Sequence, residues 1–339
     1  MQRSTVRRAA ALAAALLTVA GLAACAGRPS GDPENVKIAA INLLTFSPVY
    51  VADKLGFFTD EGLHVSIVPT TSGDASVQAL LGRSVDAATT GFDTPVELTA
   101  KGQSAQSLAG LEMATIYAFV GGRDFPAVPA DDPAAFVKAV RGKKFGVASS
   151  GSTGDLIARG LFAEYGLDPE HDVSIIAVGT GAAATAALQS GAVDALISYE
   201  PDLTRLTGSG AGKIVFDLRT SQAERSYSQL PTSTLLATGT WIKANPDIAR
   251  SLVRAVARAD TVLREQPATA LPVLKQLYPE LSPQQVESIY AASRSHFRAE
   301  ISRPAFDSAM KIYQGAGLAT GPVAYEQVVA TQFSPDWSA

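Results

Sequence analysis

The sequence predicts an α/β protein of two similar lobes, with parallel-type sheets facing each other across a cleft. Three observations predict it. Short runs rich in β-branched residues alternate with helical patterns, which is the signature of βαβ units. A block of sequence recurs at a fixed offset of 108 residues, as in Val65 and Val173. The chain has 339 residues, 47% of them hydrophobic and 18% charged, enough for one large or two medium cores.

In chain order, the first segment reads as an export address. Arg3, Arg7 and Arg8 form a positive start, and Ala9 to Ala20 is apolar but too short to span a bilayer comfortably. Leu22-Ala23-Ala24-Cys25 follows, placing small residues directly before the only cysteine. This has the form of a bacterial lipobox, with residues 1–24 removed and Cys25 lipidated. Residues 25–35, rich in Gly, Pro and Ser, read as a tether. The expected location is the outer face of the cytoplasmic membrane, held by a lipid anchor. Removing residues 1–24, which carry three arginines and no acid, leaves 25 basic against 32 acidic side chains. That balance lacks the basic footprint of a nucleic-acid binder. One cysteine and three histidines rule out an internal disulfide and a cysteine-rich metal site, and no cofactor or metal is expected.

The repeat then sets the elements. Val65-Ser66-Ile67-Val68 recurs as Val173-Ser174-Ile175-Ile176, Ala79-Leu80 as Ala187-Leu188, and Val85-Asp86-Ala87 as Val193-Asp194-Ala195. Gly73 and Gly181 fall on the same offset. Each copy reads strand, helix, strand, helix, strand. In the first these are Val36–Asn42, Pro48–Phe58, His64–Pro69, Asp74–Leu81 and Asp86–Thr90. In the second they are Lys144–Ala148, Thr153–Tyr165, Asp172–Val178, Ala182–Gln189 and Asp194–Tyr199. Extended apolar runs at Tyr117–Val120 and Ser233–Leu236 mark two crossings between lobes. Lobe one is expected at 36–118 plus 233–339, and lobe two at 119–232. After Trp241 the pattern is helical, with starts at Asn245-Pro246 and Ser282-Pro283 and further helices over Pro304–Tyr313 and Val323–Thr331. These helices are expected to pack on lobe one.

The order and spacing of these motifs resemble the solute-binding proteins of nitrate/sulfonate/taurine-type ABC importers, a group that includes thiamine-pyrimidine-precursor binders. The likeness rests on Gly56-Phe57-Phe58, Glu61-Gly62-Leu63, Gln78-Ala79-Leu80, Val85-Asp86-Ala87 and Lys101-Gly102. In the second half it rests on Gly142-Lys143, Gly146-Val147, Gly166-Leu167-Asp168, Ala187-Leu188, Gly191 and Val193-Asp194-Ala195. One departure is Gly82-Arg83, where the first copy carries its glycine one place early. The resemblance implies a type II periplasmic-binding fold and a small-molecule solute in the cleft. It also implies a monomer that hands the solute to an ABC permease and its ATPase, without enzymatic activity.

Open parallel sheets bind ligands beyond the carboxyl ends of their strands, and helix N-termini offer unpaired N–H groups. Four loops meet that description. They supply Phe46 and Ser47, Ser72 and Gly73, the cluster Ser150, Ser152 and Thr153, and Thr180. Their hydroxyls either cap helices or donate to a ligand. Two more loops end the third strands, supplying Asp93 and Thr94 in one copy and Tyr199 and Glu200 in the other. The aromatic ring can stack on a planar solute and the acids can accept from an amine. No Lys or Arg falls in these loops, so an aminosulfonate or aminopyrimidine fits them better than a bare anion. His64, His171 and His296 are expected at surface or satisfied positions. Three other readings stand beside this one. Gly179-Thr180-Gly181 with Ala184, and Glu200 further on, matches a dinucleotide pattern. A pyrimidine-precursor synthase and a ligand sensor are the others.

Overall fold

The computed structural model describes residues 34–129, 131–220, 230–319 and 321–338. The export address, Cys25 and most of the tether lie outside the described residues.

Among the described residues ten strands form two five-stranded sheets. The first holds β1 (Glu34–Ala40), β2 (Leu63–Pro69), β3 (Ala87–Gly91), β4 (Ala105–Gly110) and β10 (Ser233–Thr238), in the order β2-β1-β3-β10-β4. The second holds β5 (Ala118–Gly122), β6 (Lys144–Val147), β7 (Ser174–Ala177), β8 (Ala195–Ser198) and β9 (Gly212–Asp217), in the order β7-β6-β8-β5-β9. The two orders superimpose element by element. Among the described residues the helices between the strands are α1 (Ser47–Lys54), α2 (Phe57–Asp60), α3 (Gly73–Leu81), α4 (Asp93–Ala100), α5 (Pro133–Val140), α6 (Thr153–Glu164), α7 (Ala182–Gln189) and α8 (Asp202–Gly208).

The sheets are mixed, which corrects the parallel expectation in one respect. β10 pairs antiparallel with β3 and β4, and β5 pairs antiparallel with β8 and β9. The reason is directional. Each of these strands has just crossed from the other sheet, so it enters at the edge where the parallel strands end and must run back.

The sequence echo has a physical cause. Asp86 Oδ2 accepts the backbone N–H of Lys37 at 2.8 Å, and Asp194 Oδ2 accepts that of Lys144 at 2.8 Å. Each carboxylate clamps the first strand of its lobe to the third, so Val-Asp-Ala recurs where a strand register must be fixed. The helix ends recur too. Gly191 ends α7 at φ 72°, and Arg83, in the equivalent place after α3, adopts φ 59°. Arg83 donates its N–H to Leu80 at 3.0 Å as Gly191 does to Leu188 at 3.3 Å. The early glycine therefore leaves the turn intact, and an arginine carries the left-handed backbone at about 1 kcal/mol.

Helices Gly239–Ala244, Pro246–Glu265, Pro267–Leu277 and Pro283–Ser293 share a core with the first sheet, through Leu252, Val256 and Val286 among others. Ser282 starts the last of these with a full capping box to Gln285. The helix Arg303–Gly315 differs. Its buried stripe of Phe306, Met310 and Tyr313 joins Phe136, Phe145 and Phe162 in the core of the second sheet. The chain then returns, and Val329 pairs with Ser107 of β4. Among the described residues the chain thus passes between sheets before β5, before β10, near Phe297–Ile301 and before Val329. No helix among the described residues is long and apolar enough to cross a membrane.

The crossings lie side by side. Thr232 donates its hydroxyl to the carbonyls of Glu112 at 3.1 Å and Ala114 at 2.9 Å. On the other flank, Gly110 N–H donates to Ala299 and Met113 N–H to His296, at 2.8 and 2.9 Å. Residues 110–113 are therefore the middle strand of a three-part strap between the lobes.

Candidate functional site

The strap leaves the two sheets with their polar loops facing each other, and the loops meet at two places. The first is built on β3 and α6. Asp93 opens α4 directly beyond the end of β3, and Thr153 opens α6 in the other lobe. Thr153 Oγ1 donates to Asp93 Oδ1 across the gap, and both residues are buried. Thr94 Oγ1 lies 2.8 Å from Thr90 Oγ1. A Cβ added at Gly73 would sit 3.5 Å from the same Thr90 oxygen, so Gly73 stands at this meeting point as well. Burial pushes the Asp93 carboxyl up to about 6, against the lowering effect of the Thr153 hydrogen bond.

Two tyrosines stand beside it. Tyr117 and Tyr199 meet edge to face with centroids 5.5 Å apart. Burial first, then the charges of Tyr199 and Asp93, raise Tyr117 well above its ordinary value. Burial pushes Tyr199 up to about 12. Both phenols stay neutral and can donate.

The second meeting place is a narrow cavity of about 20 Å³ next to the strap. Leu44, Thr45, Ala292, Ser293 and His296 line it from the first lobe and its helices, Glu112, Thr115 and Ile116 from the strap, and Glu200 and Arg219 from the second lobe. Arg219 is paired with two acids. It pairs with Asp217 through Nε and Nη2, both at 2.8 Å, and reaches Glu200 Oε1 with Nη1 at 3.2 Å. Burial works against its charge, but Asp217 and Glu200 outweigh that and raise it. Glu200 Oε2 also accepts the N–H and hydroxyl of Thr204 at 3.1 and 2.8 Å.

Glu112 is different. It is 1% exposed, and its Oε1 has no hydrogen-bond partner among the described residues. Burial pushes it up to about 7, while the nearby Ser293 and Thr45 hydroxyls and the Arg219 charge act the other way. Thr45 gives its own proton to Ser233 Oγ at 2.7 Å. His296 Nδ1 lies 4.0 Å from Glu112 Oε1, beyond hydrogen-bond reach, and burial lowers its basicity so that the ring is neutral at pH 7.

The expected residues divide accordingly. Gly73, Asp93, Thr94, Thr153 and Tyr199 converge at the first meeting place, and Glu200 lines the second. Ser47 is fully buried with its hydroxyl 3.3 Å from Tyr278 Oη, and Phe46 is buried in the first core. Both are structural in this arrangement, because α1 is docked on its neighbours at that end. Ser72 and Ser152 cap helices, accepting from Ala75 N at 3.1 Å and Asp155 N at 3.4 Å. Ser150 and Thr180 are exposed at the rim.

Sequence reasoning missed Glu112, Arg219 and His296. Arg219 lies outside the loops from which Lys and Arg are absent, and His296, on a C-terminal segment, lines the cavity. Glu112 had a readable signal: it is the one acid in the apolar run Leu111–Ala114 that leads into the crossing. Among the described residues no group of three or more His, Cys, Asp and Glu is placed to hold a metal ion.

Comparison with known proteins gives consistent neighbours. The model of the NMT1-like family matches residues 30–277. A protein of Bacillus subtilis, the putative binding protein YtlA, is 25% identical over 271 residues, covering 79% of this chain and 77% of that one. The alkanesulfonate-binding protein SsuA of Xanthomonas axonopodis, solved with MOPS bound, aligns with a TM-score of 0.69 at 17% identity. That alignment covers 90% of this chain and 98% of SsuA. The periplasmic nitrate-binding protein NrtA of Synechocystis aligns with a TM-score of 0.70 at 16% identity, covering 90% of this chain and 88% of NrtA. These structures share the periplasmic binding protein fold.

Proposed function

The chain belongs to the NMT1-like family, and from that premise we propose that it is the extracytoplasmic solute-binding component of an ABC importer. It captures a small organic solute, sulfonate- or taurine-like or an aminopyrimidine, between its two lobes. It then delivers that solute to a permease and its ATPase. It acts as a monomeric binding protein and not as an enzyme, anchored to the outer face of the membrane by a lipid on Cys25. A tether keeps such a binder at high effective concentration beside its transporter.

The observation that carries the reading is the Asp93–Thr153 hydrogen bond. It joins equivalent cleft-facing edges of two sheets with the same strand order, so the lobes are arranged to close on what lies between them. The cavity has room for about one water molecule, so solute enters with the lobes apart and the closed form is favoured by the contacts it gains. Micromolar capture corresponds to about −8 kcal/mol, within reach of several hydrogen bonds of about 1–1.5 kcal/mol each together with ring stacking.

Mass spectrometry of the intact protein as isolated from its own envelope, under non-denaturing conditions, tests this. A stoichiometric small solute, and loss of its uptake on gene deletion, are the expected results. Retained uptake with altered signalling would favour a sensor. Replacement of Cys25 by serine should release the protein from the membrane fraction.

A further inference from the structure

The cavity beside the strap has a composition that selects among solutes. Among the described residues its guanidinium is Arg219, which commits three of its five N–H donors to Asp217 and Glu200. Its carboxylate Glu112 is buried with Oε1 unpartnered. Glu200 stands on the same wall. An oxyanion placed here would face two carboxylates, and the described arginine on the wall is already paired with two acids.

Size points the same way. As it stands the cavity, of about 20 Å³, holds one water-sized group. An amino or ammonium nitrogen is that size. Glu112 Oε1 and His296 Nδ1 are 4.0 Å apart, so one nitrogen at hydrogen-bond distance of about 2.9 Å can reach both. A buried acceptor without a partner is an unfavourable arrangement, and a ligand N–H relieves it.

We propose that Glu112, with His296 beside it, is the specificity-determining pair of the cleft, and that it binds an amino or ammonium end of the solute. The inference rests on the solute-binding reading above and narrows it. The nitrogen end of the solute enters the cavity, and the remainder lies along Tyr117 and Tyr199 toward Thr153. A site of this kind rejects a ligand lacking the N–H, because the rejected ligand leaves the buried carboxylate unpaired.

Calorimetric titration of the full chain with matched pairs tests it: taurine against ethanesulfonate, and 4-aminopyrimidine against pyrimidine. At least one amine should bind tenfold or more tightly than its amine-free twin. In Glu112→Gln that preference should fall below about twofold, with circular dichroism unchanged. In His296→Phe it should fall partway. Equal binding of twins, tighter binding of ethanesulfonate, or an unchanged preference in Glu112→Gln overturns the inference and leaves the binding-protein reading standing. Failure of both amines overturns it too. In that case a nitrogen-free solute found on the isolated protein would still support capture, and an empty protein would count against both.

Discussion

Thr153, at the first turn of a helix in one lobe, donates its hydroxyl to Asp93, at the first turn of a helix in the other. Among the described cleft residues this contact joins the loops that follow the third strand of one sheet and the first strand of the other. Its loss has a direct expected effect. Thr153→Val keeps the shape and removes the donor, leaving a buried carboxylate unpaired at about 1–3 kcal/mol. The closed form should lose population, seen as a larger radius of gyration in solution scattering. An unchanged radius would show that the contact does not hold the lobes together.

Glu112 sets a pH dependence. Its folded value is about 7 against an ordinary 4.5. The folded form thus keeps a proton that the unfolded chain has released. Stability from this group is full below pH 4.5 and is lost as pH rises through 7. The difference is on the order of 3 kcal/mol. Glu112→Gln should therefore raise the melting temperature at pH 8 much more than at pH 4. Parallel melting profiles of the two proteins across that range would contradict the assignment.

Arg83 offers a stabilising substitution. It holds φ 59° where its counterpart Gly191 holds φ 72°. Arg83→Gly should stabilise the protein by about 0.5–1 kcal/mol, because glycine takes the left-handed region without the Cβ strain. Gly191→Arg should destabilise by a similar amount. Urea unfolding midpoints of the two variants, shifted in opposite directions, check this.

The paired carboxylates give a quantitative contrast. Asp86 accepts both the Lys37 N–H and, at 3.0 Å, the indole N–H of Trp241. Asp194 accepts the Lys144 N–H alone among these. Asp86→Ala should thus exceed Asp194→Ala by about 1 kcal/mol, the net value of one hydrogen bond. Equal losses in denaturant titration would remove Trp241 from the account.

Gly110 tests the strap. A Cβ there would lie 2.8 Å from the carbonyl oxygen of Arg298, which is backbone and cannot step aside cheaply. Gly110→Ala should separate the C-terminal crossing from residues 110–113. Faster amide exchange at Met113 and Arg298 is the expected readout.

Much of this was readable beforehand for one reason: the repeat reports local geometry. The helix Ala182–Gln189 is found at the expected bounds, and β2 and β6 differ from expectation by one residue. Val-Asp-Ala recurs because a carboxylate must meet a strand N–H at fixed spacing. Contacts between elements far apart in sequence carry no such period. Phe306 and Tyr313 look like any amphipathic stripe, and nothing local says which sheet they cover. The site divides in the same way. Asp93 and Thr153 sit at strand ends, where a rule places ligands. Glu112, Arg219 and His296 meet only because three crossings run together.

The position of β10 also orders events in time. Ser233–Thr238 lies between β3 and β4, so the first sheet stays in two pieces until those residues have been synthesised. The second sheet draws all five of its strands from Ala118–Asp217 and is complete earlier. The sheet that begins the fold is therefore the sheet that closes last. A nascent chain released before residue 238 would carry one complete sheet, still lacking its cover from Phe306 and Tyr313, and one open pair of edges.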